Sequence, residues 1–148
     1  MALTPTKRFV NVTSCSFTPT GGSTVNLTGT QSVVTNSQAA DIKGSGDGDF
    51  YNTVAGVVSA DWMATVETNE PALLNSVAIG TYGVLVWTIN DARNGVLASG
   101  GAITYTLSNA YFMGPNLNAP HRNFATASFV FHSYSADGVT SPMAASAL

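Results

Sequence analysis

The sequence predicts a mainly β protein: an antiparallel β-sandwich or partly closed barrel with one flanking α-helix at about residues 70–79. Three observations carry that reading. Thr, Val, Phe and Tyr recur in alternating runs, which is strand composition. Gly- and Asn-rich clusters punctuate those runs. Only Glu70–Ile79 repeats its apolar residues at helical rather than strand spacing.

The elements follow in order. Lys7–Phe17 alternates, with Phe9, Cys15 and Phe17 on one face and Val10 and Val12 on the other. Pro19–Ser23 is a turn, and Thr24–Thr35 returns with Val25, Leu27 and Val33 on one face, so the two runs predict a hairpin. Asn36–Asp49 is expected to be a flexible loop that ends in the acidic, Gly-rich stretch Gly44–Asp49. A long strand, roughly Phe50–Thr68, comes next. In its second half Asp61, Met63, Thr65 and Glu67 face one way, and Ala60, Trp62, Ala64 and Val66 the other. One wet face and one dry face mark a half-buried strand.

Asn69, Glu70 and Pro71 suit the exposed amides of a helix start. Leu73, Leu74, Val77 and Ala78 then give that helix its apolar stripe, and Gly80 or Gly83 ends it. Gly83–Asn90 is a strand with Leu85, Trp87 and Ile89 inward. Arg93–Gly95 and Ser99–Gly101 mark a loop. Ala102–Phe112 places Ile103, Tyr105 and Leu107 inward and Thr104, Thr106 and Ser108 outward. Gly114–Pro120 is a second loop, Arg122–Ser135 the last long strand, Ser135–Gly138 a turn and Ser141–Leu148 a small-residue tail. No repeat or linker divides residues 1–148, which read as a single domain.

Composition narrows the function. Charged residues make up 9% of the 148, against about 25% in an ordinary soluble domain. Thr, Ser, Asn and Gln together supply 47 residues in their place. With two Lys and two Glu, the chain has few of the long hydrated side chains that keep a lone monomer soluble. Disorder is excluded by 45% hydrophobic residues and a net charge of −3. No apolar run reaches membrane-spanning length, so no membrane partner is expected. The start, Met1–Arg8, has no apolar core of a signal peptide, and Asn11-Val12-Thr13 and Asn26-Leu27-Thr28 read as chance sequons. Five scattered basic residues form no phosphate-binding patch.

The residues that carry chemistry elsewhere form no constellation here, so no enzyme, metal site, cofactor or small-molecule ligand is expected. Cys15 has no partner for a disulfide and reads as a small buried hydrophobe. Asp47 and Asp49 alternate like calcium ligands but lack the acidic twelfth position of a calcium loop. His121 and His132 have no Cys or acidic residue at ligand spacing. Serine is abundant, but the strained Gly-x-Ser-x-Gly turn of a hydrolase nucleophile is absent. Asp61 and Glu67 are six residues apart on one strand face, roughly 20 Å, too far to act as paired glycosidase carboxylates. Trp62 and Trp87 fall on apolar faces and read as core, and His132 as a hydrogen-bonded packing residue.

The order of elements resembles the tail tube proteins of long-tailed bacteriophages and, more distantly, the haemolysin-coregulated tube protein of type VI secretion. The resemblance covers most of the chain. It lies in the acidic Gly-rich loop Gly44–Asp49 before a long strand, in Glu70–Ile79 after Val66-Glu67-Thr68, and in Gly83–Thr88 and Ile103–Ala110. It continues through Ala125–Ser135 into Ser135-Ala136-Asp137-Gly138-Val139-Thr140-Ser141-Pro142.

The resemblance implies a virion structural protein that pairs edge to edge with itself in hexameric rings. Stacked rings would form a conduit for DNA ejection, assembled in the host cytoplasm as part of the tail. Partners would be other copies and other tail proteins, such as a tape measure, sheath or terminator, with DNA passing through without specific binding. Candidate lumen-facing residues are Asp61, Thr65 and Glu67, with Thr104, Thr106 and Ser108. Candidate ring-stacking residues are Lys43, Asp47, Asp49 and Phe50. The competing readings are another virion protein (capsid decoration, baseplate or fibre component) and a carbohydrate-binding sandwich.

Overall fold

The computed structural model describes residues 9–45, 53–93, 96–137 and 140–147. Eight strands form one antiparallel sheet, in chain order β1 (Phe9–Pro19), β2 (Val25–Asn26), β3 (Thr30–Ser45), β4 (Thr53–Thr68), β5 (Tyr82–Arg93), β6 (Val96–Asn118), β7 (Thr126–Ser133) and β8 (Met143–Ala147). The sheet runs β2-β1-β5-β6-β7-β4-β3, with β8 beside β6. The mainly β, antiparallel prediction therefore holds.

The sheet folds over on itself through β6. Its first half pairs with β8 (Ile103–Leu107), and its second half pairs with β7 (Ala110–Asn118). β5 lies along the other edge of both halves. One layer is thus β1, β5, β8 and the first half of β6; the other is β7, β4, β3 and the second half. Between them Phe17, Phe112, Phe129 and Phe131 are fully buried with Leu27, Leu85, Leu107 and Val66. The Phe17 and Phe131 rings meet across the layers at 4.9 Å. Burying such side chains contributes about 1.5–3 kcal/mol each.

The bend depends on Asn109. Leu85 pairs with Leu107 and Gly83 with Ala110, so β6 carries one extra residue there, a bulge. Asn109 takes φ 52°, a conformation its short polar side chain tolerates. Before the bulge, odd residues such as Leu107 point inward; after it, Ala110 and Phe112 do. Ser133 closes the site by donating its hydroxyl to the Ser108 carbonyl.

Several predicted boundaries are corrected. Thr24–Thr35 is not one strand of a hairpin: only Val25 and Asn26 pair with β1. At Gly29, with φ 70°, the chain crosses to the other layer, where a Cβ would collide with Asn69. Thr68, buried, holds this crossing by donating to the Thr28 carbonyl at 2.5 Å. Residues 36–45 are strand, not loop, with Asn36 opposite Met63 and Ser45 opposite Thr53. Ser99–Gly101 and Gly114–Asn118 continue β6, and Arg122–Ala125 precedes β7 rather than starting it. The small-residue tail forms β8.

The flanking α-helix is instead a single 3-10 turn, Pro71–Asn75. Its Leu73 and Ser76 amides reach back three residues, to Glu70 and Leu73. A ten-residue helix is marginal in isolation, and this segment is tied at both ends. The Asn69 amide donates to the Gly29 carbonyl, so Asn69 sits in the crossing instead of capping a helix, and Gly80 donates to the Phe112 carbonyl. Leu73 and Leu74 still pack against the core, and Val77 is buried in it, which is the apolar stripe the sequence shows.

Candidate functional site

The open margins of the sheet are the first candidate. β1 and β3 approach each other without pairing, so no barrel closes. A cleft of ≈ 420 Å³ lies along this seam, lined by Val12, Cys15, Leu27 and Thr30 among others. Along its 16 residues, β3 pairs only with β4 among the described residues. Its sequence holds Asp41 and Lys43 and no proline, and its pairing with β4 shifts register at Thr30/Ser32 and at Ala40/Asp41. Edges are ordinarily blunted by Lys, Pro, bulges or cover, because their unpaired amides and carbonyls template another strand.

The two outer faces differ. On the β1–β5–β6–β8 layer, Ser14, Thr88, Thr104 and Ser146 stand side by side across four strands. Thr88 and Thr104 share a hydroxyl hydrogen bond of 3.1 Å, and Thr13 donates to the Thr88 carbonyl at 3.3 Å. The next row holds Ser16, Val86, Thr106 and Ala144. Ser108 lies at the bend, its amide donating to Pro142.

An aromatic row runs round the bend onto the other layer: Tyr82, Tyr111, His132 and Met63 are in register across β5, β6, β7 and β4. Tyr134 joins it, sharing a 2.9 Å hydroxyl bond with Tyr111 and stacking on it at 5.6 Å. His132 Nδ1 is 3.3 Å from the Tyr111 hydroxyl, which makes His132 the hydrogen-bonded packing residue the sequence implies. The Tyr134 bond, then burial, then the neighbouring Tyr134, Tyr82 and Asp61 charges push the Tyr111 hydroxyl up to about 12. Oδ1 of Asp61 and Nε2 of His132 are buried here without a hydrogen-bond partner among the described residues.

The candidate lumen residues therefore divide. Thr104, Thr106 and Ser108 belong to the hydroxyl-lined layer. Asp61, Thr65 and Glu67 belong to the opposite layer, whose outer face points away from the first. Asp61 is half-buried beside the aromatic row, Thr65 is half-buried opposite Val34 and Val130, and Glu67 is exposed. Of the stacking candidates, Lys43 lies in β3 opposite Ala55, while Asp47, Asp49 and Phe50 fall outside the described residues.

Cys15 is buried, and burial pushes its thiol up to about 12 against a lowering hydrogen bond from Thr30. A thiol so raised stays protonated and is a poor nucleophile. Trp62 and Trp87 line the apolar end of the core with Val33, Ile89, Tyr105 and Met143, as their strand faces imply. Trp87 stacks on Tyr105, and Trp62 donates to Ser141 at 3.0 Å.

The aromatic row was not visible in the alternation alone. Continued without a bulge, the pattern of Ala102–Leu107 would turn Tyr111 inward; Asn109 turns it out. The only sequence signal is an Asn after Ser108 inside a strand, a residue type that accepts positive φ.

No protein-family model matches this chain, and no curated protein matches it. A solved chain in the cryo-EM structure of the anti-feeding prophage baseplate, 6-fold symmetrised, is similar to it over 99% of this chain and 97% of that one, at 9% identity and a TM-score of 0.47. At this level the likeness lies in the course of the chain and carries no functional assignment.

Proposed function

We propose that this chain is a virion structural protein, a tail-tube subunit that joins copies of itself edge to edge into stacked hexameric rings. The observation that carries this reading is the open β3 edge, which pairs only with β4 among the described residues. A 16-residue strand with one Lys and no proline in its sequence, paired on one side only, is a template for pairing. Ring closure removes such an edge. It also covers the surface that so sparsely charged a chain leaves exposed, at an interface of the obligate kind.

Of the two outer faces, the hydroxyl-lined one is the better lumen wall. Its Ser14, Thr88, Thr104 and Ser146 row carries no cation to hold a DNA phosphate. The opposite face, with its exposed Tyr134 beside Tyr111 and His132, suits the outside of the tube or contact with other tail proteins. In this arrangement Asp61, Thr65 and Glu67 lie away from the lumen.

Negative-stain electron microscopy and sedimentation velocity test the proposal. Purified chain is expected to form rings or tubes with a central hole. Val34 and Asn36 are exposed on β3, so V34K with N36K places two charges along the edge without touching the core. That variant is expected to remain folded and sediment as a monomer. A wild-type chain that stays monomeric at high concentration would falsify the reading.

A further inference from the structure

We propose that the cleft at the far end of the β4 layer binds a neutral carbohydrate. This goes beyond the assembly role and does not depend on it. The cleft has a volume of ≈ 380 Å³, within the range of small-ligand sites, about 300–1,000 Å³. Three chain segments build it: Gln31 at the start of β3, Glu67 and Asn69 at the end of β4, and Asn118, Asn123 and Phe124 from the end of β6 and the turn after it.

Phe124 is 86% exposed, the most exposed large apolar side chain among the described residues. The turn sets the backbone at Phe124. The Asn123 side chain accepts the Phe124 amide at 2.8 Å, and Arg122 just before it takes φ 61°. An exposed aromatic ring at the rim of a polar cleft offers a stacking surface for the C–H face of a pyranose.

The polar lining matches the rest of a sugar. Gln31, Glu67, Asn69 and Asn118 are all exposed, and their side chains make no hydrogen bond to another described residue. Each planar amide offers donors and an acceptor, and the carboxylate offers acceptors, which is the hydrogen-bonding complement of sugar hydroxyls. The only charge in the lining is the negative Glu67, and no Lys or Arg is present to hold an acidic sugar.

A printed array of neutral and acidic glycans, probed with labelled full-length chain, tests this. The wild type is expected to capture at least one neutral glycan. Phe124→Ala and Asn118→Ala are expected to lower that signal about tenfold or more, as loss of a stacking or paired polar contact does. Tyr82→Ala, exposed on the aromatic row, is expected to leave it unchanged. Both cleft residues are exposed, and near-ultraviolet circular dichroism of each variant verifies its fold. The proposal is overturned if no neutral glycan is captured, or if capture survives Phe124→Ala and Asn118→Ala. It is equally overturned if the array stays blank while Phe124→Ala breaks up assemblies in negative stain, which would make the cleft a protein contact.

Discussion

The two layers share one core and differ in what they show to the outside. Inward, Phe17 and Leu85 of one layer meet Phe129 and Phe131 of the other in a single buried cluster. Outward, the first presents hydroxyls in register, while the second presents tyrosines, a histidine, Asp61 and Glu67. Inner faces answer to packing, which rewards any well-fitting apolar set. Outer faces are free of that demand, so their divergence is where this fold has room for function.

The comparison breaks most severely at the shared core. Phe131 touches Phe17 across the layers and Phe112 within its own. Phe131→Ala is expected to cost about 3–5 kcal/mol. Because both layers lean on this ring, denaturant unfolding followed by Trp fluorescence and by far-ultraviolet circular dichroism should stay coincident. Two separated transitions would show that the layers are independently stable.

The second test concerns the bulge that turns β6 from one layer to the other. Asn109→Val places a β-branched residue at φ 52° and is expected to cost about 1–3 kcal/mol. Asn109→Gly keeps the conformation accessible and should shift the midpoint little. Equal losses in both variants would mean that the Asn side chain, not its backbone conformation, holds the bend.

The outer faces give smaller effects. Tyr111→Phe removes a hydroxyl bonded to Tyr134 and near His132, and Thr104→Val removes one bonded to Thr88. Each is expected to cost about 0.5–1.5 kcal/mol in chemical denaturation. If the chain forms the proposed rings, Thr104→Val should leave them intact, whereas changes on the β3 edge should not.

Much of this was legible in the sequence wherever a strand lies over the core. Asp61–Thr68, Gly83–Ile89 and Ala102–Leu107 alternate because each must bury one face, and their inward residues are the ones predicted. What was missed lies where pairing is a matter of backbone alone. Residues 36–45 are mostly small or polar and residues 143–147 mostly small, so they read as loop and tail, yet their amides and carbonyls pair as well as any. The crossing at Gly29 and the bulge at Asn109 are single-residue events, and alternation carries no mark of them. The cleft around Phe124 was equally hidden, because Gln31, Glu67, Asn118 and Phe124 come together only through the topology.

The last expectation concerns Cys15, which faces the core from the layer with the hydroxyl row. Its thiol is raised by burial from the ordinary 9.0 to about 12. In the unfolded chain the thiol loses its proton near the ordinary value; in the folded chain it keeps it. Between those values the folded state binds more protons, so stability falls as pH rises. The contribution is fully present below about pH 9 and is lost progressively toward pH 12. Cys15→Ala has no thiol to titrate, so the gap in stability between it and the wild type should narrow over this range. Tyr111, raised for a different reason on the opposite outer face, titrates in the same region, and Tyr111→Phe separates the two. A gap between wild type and Cys15→Ala that stays constant from pH 8 to 11 would mean that the seam beside Cys15 admits water enough to solvate a thiolate.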